Sequence, residues 1–314
     1  MKKPYKCQNC GGSLYSPKDR FCPWCGSPLA LQMSPAGKAI ITLLACFGFY
    51  ALYFAITVGA EFIHELCIVR DLPGFPQIDI DEFYSKISER YCEVGILSAV
   101  SVLLVFFLIF KVRHKNFGEE VRLNLISGGS FCGLTVLGVA GQFAISIGLC
   151  VLYAFFPSMS EFSAGETFEK ILANANPISE ILYLGVITPL LEETLFRGII
   201  YTRLRKILPV PAAIVLSAVA FGAAHGNLEQ FVYATFMGLI FAAALEKFDS
   251  LWAPFAVHFA FNFSSCFAVL LPENPLELIA ILLISAGLFM LTFAFLFLAK
   301  NKPIKAGNNN DEAL

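Results

Sequence analysis

Charge is what this sequence has least of. Only 15% of its 314 residues are Asp, Glu, Lys or Arg, where a soluble domain carries about one quarter. The 22 basic and 24 acidic residues leave a net charge of −2, which gives no basis for a nucleic-acid partner. Histidine is scarcer still, at four residues. No H-E-x-x-H is present, so the usual zinc-protease helix with two histidines one turn apart is absent. The first thirty-odd residues contain no apolar core, which excludes a cleavable signal peptide and leaves the first membrane run as an uncleaved anchor. Inverted repeats and organelle-targeting features are also missing.

What the chain does have is apolar mass: 57% of it, in long runs nearly free of charge, the mark of transmembrane helices. The fold expected is an all-α polytopic membrane protein of about eight spans, near residues 39–60, 94–110, 126–156, 178–201, 210–224, 230–245, 251–271 and 276–299. The third must tilt or extend into the interface, and its Gly129 and Gly133 have the small-xxx-small spacing of close helix packing. With both termini cytoplasmic, 17 of the 22 basic residues fall inside, Arg70, Lys86, Arg90 and Lys170 fall outside, and Arg197 lies within a span. This is a strong positive-inside bias. The outer loop over residues 61–93 reads as long, acidic and solvated, and a disulfide between its Cys67 and Cys92 is a minority alternative. The domain plan is a zinc ribbon over 1–32, a linker over 33–38, the membrane domain over 39–300 and a disordered cytoplasmic tail over 301–314.

The head carries Cys7 and Cys10 as one C-x-x-C and Cys22 and Cys25 as another, with Gly11 and Gly26 following each pair. A C-x-x-C turn aims two sulfurs at one point, and the glycine permits the tight backbone that brings amide N–H groups toward the thiolates. Two such turns make a tetrahedral four-cysteine site that zinc accepts. Thirty residues bury too little core to fold alone, so the metal would supply the folding energy. Disulfides or a redox pair fit a cytoplasmic segment poorly. The head resembles the zinc ribbons at the ends of many bacterial membrane proteins, whose roles vary. Cys46, Cys132, Cys150 and Cys266 lie in apolar runs and read as packing residues.

Ionisable groups inside a span cost about 2.5–3.5 kcal/mol each at mid-helix, and here they are concentrated. The fourth span carries Glu192, Glu193 and Arg197, the fifth ends at His225 four residues after Phe221, and the seventh holds His258 and Asn262. At about 100° per residue, Arg197 lies roughly 40° from Glu193 but roughly 140° from Glu192. Glu193 and Arg197 therefore form an i,i+4 ion pair with the acid on the favourable side, while Glu192 is left available. A carboxylate in a low-dielectric cavity suits a general base working near neutral pH. Pro189 removes a backbone donor, freeing the carbonyl of Gly185 in an α-helical register. His258 and Asn262 share a face and can both donate toward one oxygen, as a tetrahedral oxyanion requires. His225 adds a second imidazole to position water. Its depth is awkward, since it falls nearer the outer end than Glu192 or Asn262. A shortened span, a tilt or a re-entrant turn around Pro209 and Pro211 would reconcile them.

E-E-x-x-x-R at Glu192–Arg197, F-x-x-x-H at Phe221–His225 and H-x-x-x-N at His258–Asn262 follow one another in this order. They resemble the three motifs of the CAAX protease and bacteriocin-processing (CPBP, or Abi) family, over roughly residues 178–271. The resemblance implies a helical intramembrane glutamic endopeptidase without a catalytic metal. Glu192 and His225 would activate water, His258 and Asn262 would stabilise the oxyanion, and Glu193, Arg197 and Phe221 would support the site. The expected partners are a peptide or protein substrate in or at the membrane, the lipid bilayer, and a protein recruited by the zinc ribbon. A multi-pass protein of a bacterial inner membrane is the expected setting. CAAX-type processing would need cytoplasmic access to the cavity.

Two alternatives compete. A zinc metalloprotease would use His225, His258 and a glutamate as ligands. A non-catalytic immunity or transport protein would use the buried polar groups to bind a ligand.

Overall fold

The computed structural model describes residues 5–6, 11, 13–14, 22, 24–25, 34–71, 80–162, 172–267, 271–272 and 274–298. Two compact units divide the chain, Met1–Ala45 and Cys46–Leu314. In the first, β1 (Tyr5–Lys6) pairs antiparallel with β2 (Ser13–Leu14). Gly11, between them, has a φ of +71°, in the left-handed region where a Cβ is strained. The Trp24 amide donates to Cys22 Sγ at 3.4 Å, and Cys22 is buried. Cys7 and Cys10, and the expected tail over 301–314, lie outside the described residues. The expected linker is partly helical, because α1 (Pro35–Asp71) begins within it.

The rest of the described chain is helical. After α1 come α2 (Ile80–Val112), a single turn α3 (Phe117–Glu120), α4 (Gly128–Phe155) and a 3-10 segment, Pro157–Phe162. A continuous helical run over residues 177–204, α5, alternates between α and π geometry: Pro177–Glu180, then π over Ile181–Ile187, then α over Thr188–Glu192, then π over Glu193–Tyr201, ending with Thr202–Leu204. Then follow α6 (Val210–Ala223), α7 (Leu228–Phe248), α8 (Trp252–Ser265) and α9 (Pro275–Phe293), the last continuing as π over Ala294–Leu298.

Five of these helices (α1, α2, α4, α7 and α9) are long and apolar enough to cross a membrane, so the chain is a multi-pass membrane protein. The expected seventh span is shorter than read, and the fifth is as short as read: α8 and α6 have 14 residues each, about 21 Å against a hydrocarbon core of about 30 Å. His225, at the end of this short α6, lines the same cavity as Glu192. The expected loop over 61–93 is largely helical instead, because α1 and α2, of 37 and 33 residues, run well past a bilayer's thickness. Cys67 and Cys92 are free thiols, which removes the disulfide alternative.

Glycines set how closely the helices approach, and of the two expected Gly133 takes part, since a Cβ there would lie 3.2 Å from Leu296 Cδ2. A Cβ on Gly129 would meet nothing within 4 Å, while one on Gly138 would come within 2.2 Å of the Val257 carbonyl oxygen on α8. A Cβ on Gly222 of α6 would lie 2.7 Å from the Phe231 carbonyl oxygen on α7. Because backbone cannot step aside as a flexible side chain can, Gly138→Ala is expected to destabilise the protein by about 1–3 kcal/mol. It would also push α8, and His258 with it, away from α4. Thermal unfolding in detergent measures the first effect.

Polar ties close both ends of this helical unit. At one end Arg122 reaches Glu246 (3.8 Å) and Asp249 (3.4 Å), Arg205 reaches Glu246 (3.2 Å), and Lys206 reaches Glu120 (3.7 Å). The Ser250 hydroxyl donates to the Asn124 carbonyl there. At the other end Asn174 bonds Ser85 (3.1 Å) and Ser179 donates to Glu93 (2.5 Å). The segments assigned to one side of the membrane by their basic residues thus meet one another in space.

Candidate active site

Residue by residue, the site begins in α5. Arg197 and Glu193 are both fully buried and lie 3.2 Å apart through Nη1 and Oε1. A second guanidinium nitrogen donates to the Gly238 carbonyl of α7 at 3.2 Å. The guanidinium carbon stands 4.2 Å from the centre of the Phe221 ring and 5.0 Å from that of Phe241. These cation–π contacts suit a buried cation with few water neighbours. Gly238 keeps this approach close, because a Cβ would lie 3.1 Å from both Arg197 Nη2 and Ala218 Cα.

Glu193 Oε1 has a second partner. His258 Nδ1, on α8, lies 2.8 Å from it. With Glu193 ion-paired to Arg197, its carboxylate accepts, so Nδ1 carries the hydrogen. The opposite ring nitrogen, Nε2, faces Glu192 Oε2 at 3.6 Å, an ion-pair distance but too long for a direct hydrogen bond. One imidazole therefore stands between two adjacent glutamates. Glu193 holds it in place, and Glu192, partly exposed, meets it across a gap. The ring stacks on Phe241, centroids 4.7 Å apart and planes at 17°, and meets Phe221 edge-on at 5.7 Å.

His225 follows the end of α6. Its Nδ1 bonds the Phe221 carbonyl at 2.9 Å, which leaves Nε2 for another partner. Phe221 touches Arg197, His225 and His258 and is buried, so it is the common seat of the three motifs.

Asn262 is engaged by the π geometry of α5. In that register the Thr188 amide reaches back five residues to the Tyr183 carbonyl. The next donor would be Pro189, which has no N–H, so the orphaned carbonyl is that of Leu184, not of Gly185 as an α register implies. Asn262 Nδ2 donates to it at 3.1 Å. π-turns are costly inside helices and frequent at functional sites. Thr188 Oγ1, one turn before Glu192, is buried and finds no hydrogen-bond partner among the described residues.

Glu192, His225, His258 and Asn262 all line one cavity of about 330 Å3, together with Thr188, Phe221 and Phe241. Glu193 and Arg197 lie behind its wall. Among the described residues no group of three His, Cys, Asp or Glu side chains is arranged to hold a metal ion. Sequence reasoning missed Phe241 and Gly238, since neither belongs to a spaced motif. It also missed that His258 bridges both glutamates.

Comparison with known proteins points the same way. Residues 174–264 match the family model described as type II CAAX prenyl endopeptidase Rce1-like, under a third of the chain. A Bacillus subtilis (strain 168) protein named "Putative membrane peptidase YdiL" is 25% identical over 190 residues, covering 58% of this chain and 72% of that protein. No solved structure matches the chain.

Proposed function

We propose that the chain is an intramembrane endopeptidase of the glutamic type, hydrolysing a peptide bond of a membrane-associated substrate within this cavity. The observation that carries the reading is the convergence of one carboxylate, two imidazoles and one amide on a single cavity large enough for a water and a peptide bond. Water held by Glu192 and His225 Nε2 attacks the carbonyl carbon. As the O–C bond forms, Glu192 takes the water proton and the carbonyl electron pair moves onto oxygen. That oxyanion accepts hydrogen bonds from Asn262 and from His258 Nε2 in its protonated form. When the C–N bond breaks, Glu192 returns the proton to the leaving amine. Buried Glu193 and Arg197 hold the His258 ring and take no part in bond making. The residue set is complete for both roles, water activation and oxyanion binding, and the matches to the Rce1-like model and to a named membrane peptidase support it. The test compares peptides released in cells carrying the parent chain or Glu192→Ala. Identical peptide sets would remove the reading.

The eight-span arrangement with both termini cytoplasmic belongs to the same proposal, with the short α6 and α8 counted among the spans. So does a structural zinc on Cys7, Cys10, Cys22 and Cys25. Two features of the head favour it: the buried Cys22 sulfur accepts an amide N–H from Trp24, and Gly11 takes the left-handed turn after Cys10. Bound zinc would neutralise four thiolates and tie the two turns together. The purified protein is expected to contain one zinc per chain, lost on Cys22→Ser with Cys25→Ser, with Glu192-dependent cleavage retained. Elemental analysis beside the cleavage assay checks this.

A further inference from the structure

We propose that the cavity opens on the face opposite the Lys/Arg-rich loops, so that its substrate is a peptide segment displayed on the translocated side of the membrane and not a C-terminal tail in the cytoplasm. The inference rests on the proteolytic reading for what the cavity does, but not for where it opens. Most of the lining comes from the helix halves that lie away from the Arg122–Glu246–Arg205 end, with Glu192 of α5 and Phe241 of α7 just past the middle of their helices. From α4 it is Gln142 and Ser146, in the second half; from α5, Thr188 and Glu192, after the chain has entered from the other end. The segment between α6 and α7 supplies His225, Glu229 and Gln230, and α8 ends at the cavity with Asn262 and Ser265. The deeper wall, toward the basic end, is closed by Arg197 and Glu193, both fully buried. Cytoplasmic retention follows Lys and Arg, and Lys115, Arg122, Arg205 and Lys206 meet their acidic partners at the end away from the cavity.

The lining agrees. Among the described residues Glu192 and Glu229 are the acids that line it, and no Lys or Arg does. A free C-terminal carboxylate, the hallmark of a prenylated tail a few residues from its cysteine, would meet two acids and, among the described residues, no Lys or Arg to pair with. An internal peptide bond flanked by neutral or basic residues would not.

Leu228→Cys, exposed at the start of α7 beside Glu229, and Lys206→Cys, exposed at the basic end, separate the two faces without requiring activity. Intact cells are treated with a mass-tagged, membrane-impermeant maleimide, and labels are counted against the parent chain. One added label on Leu228→Cys in intact cells, with Lys206→Cys gaining its label only after permeabilisation, is the expected result. The reverse pattern overturns the proposal. A second measurement addresses the substrate: a membrane-anchored reporter with its cleavable segment on the translocated side is expected to be cut, at least about 10²-fold less by Glu192→Gln. Glu192-dependent cutting of a prenylated cytoplasmic tail peptide would overturn the proposal even with outward labelling. Cutting of neither substrate removes proteolysis, while the labelling still decides which way the cavity faces.

Discussion

Glu192→Gln is expected to reduce peptide release by at least about 10²-fold, the low end of what a positioned acid–base group contributes, with membrane insertion and the unfolding midpoint unchanged. The argument is one of neighbours. Glu192 is partly exposed to the cavity, and its nearest charged partner, His258 Nε2, is 3.6 Å away, beyond hydrogen-bond reach. An amide of the same shape therefore leaves no buried donor stranded, but it cannot take a proton from water. A ligand-binding or transport protein using the same cavity predicts otherwise: a neutral isostere there would alter affinity, and no Glu192-dependent peptide would exist to lose. Peptide release measured beside thermal unfolding in detergent separates these readings. A Glu192→Gln chain that cleaves as well as the parent would end the assignment of Glu192 as the base, and with it the glutamic mechanism.

The parts of the site that were legible in the sequence are those governed by spacing within one helix. Glu193 and Arg197, four apart, pair as helix geometry requires, and the π widening from Glu193 to Tyr201 does not separate them. Apolar runs gave the helices in their right order, and basic residues gave sets of loops that do meet. What spacing cannot carry is register between helices. That His258 reaches Glu193 across from α8 depends on how closely Gly138 lets α4 and α8 approach, a contact of backbone with no side-chain signature. That Asn262 takes the Leu184 carbonyl depends on a π turn, which moves the orphan left by Pro189 one residue along. Phe241 and Gly238 are ordinary residues of an apolar helix until Arg197 is set against them. The Leu184 bond also implies a motion in turnover: the Asn262 amide must leave that carbonyl to reach an oxyanion.

Arg197→Met should give the largest loss of stability in the protein, about 3–5 kcal/mol, the cost of leaving a buried charge without its partner. Glu193 is fully buried, and its second carboxylate oxygen has no hydrogen-bond partner among the described residues, so the stranded charge would have no access to water. Glu193→Leu should cost a comparable amount, since the guanidinium would keep only the Gly238 carbonyl and the faces of Phe221 and Phe241. Combining the two removes both charges, and apolar replacements of buried pairs are often neutral or better. The double variant is therefore expected to recover most of the stability lost by either single one. It should nevertheless remain nearly inactive, because His258 Nδ1 would have lost the oxygen 2.8 Å away that fixes its ring. Stability recovered without activity distinguishes a clamp that positions His258 from a pair that merely holds helices together. If the double variant regained both, the two buried charges would be structural alone, and the orientation of His258 would have to come from its stacking on Phe241. Thermal unfolding and peptide release on the three variants, measured side by side, decide between these outcomes.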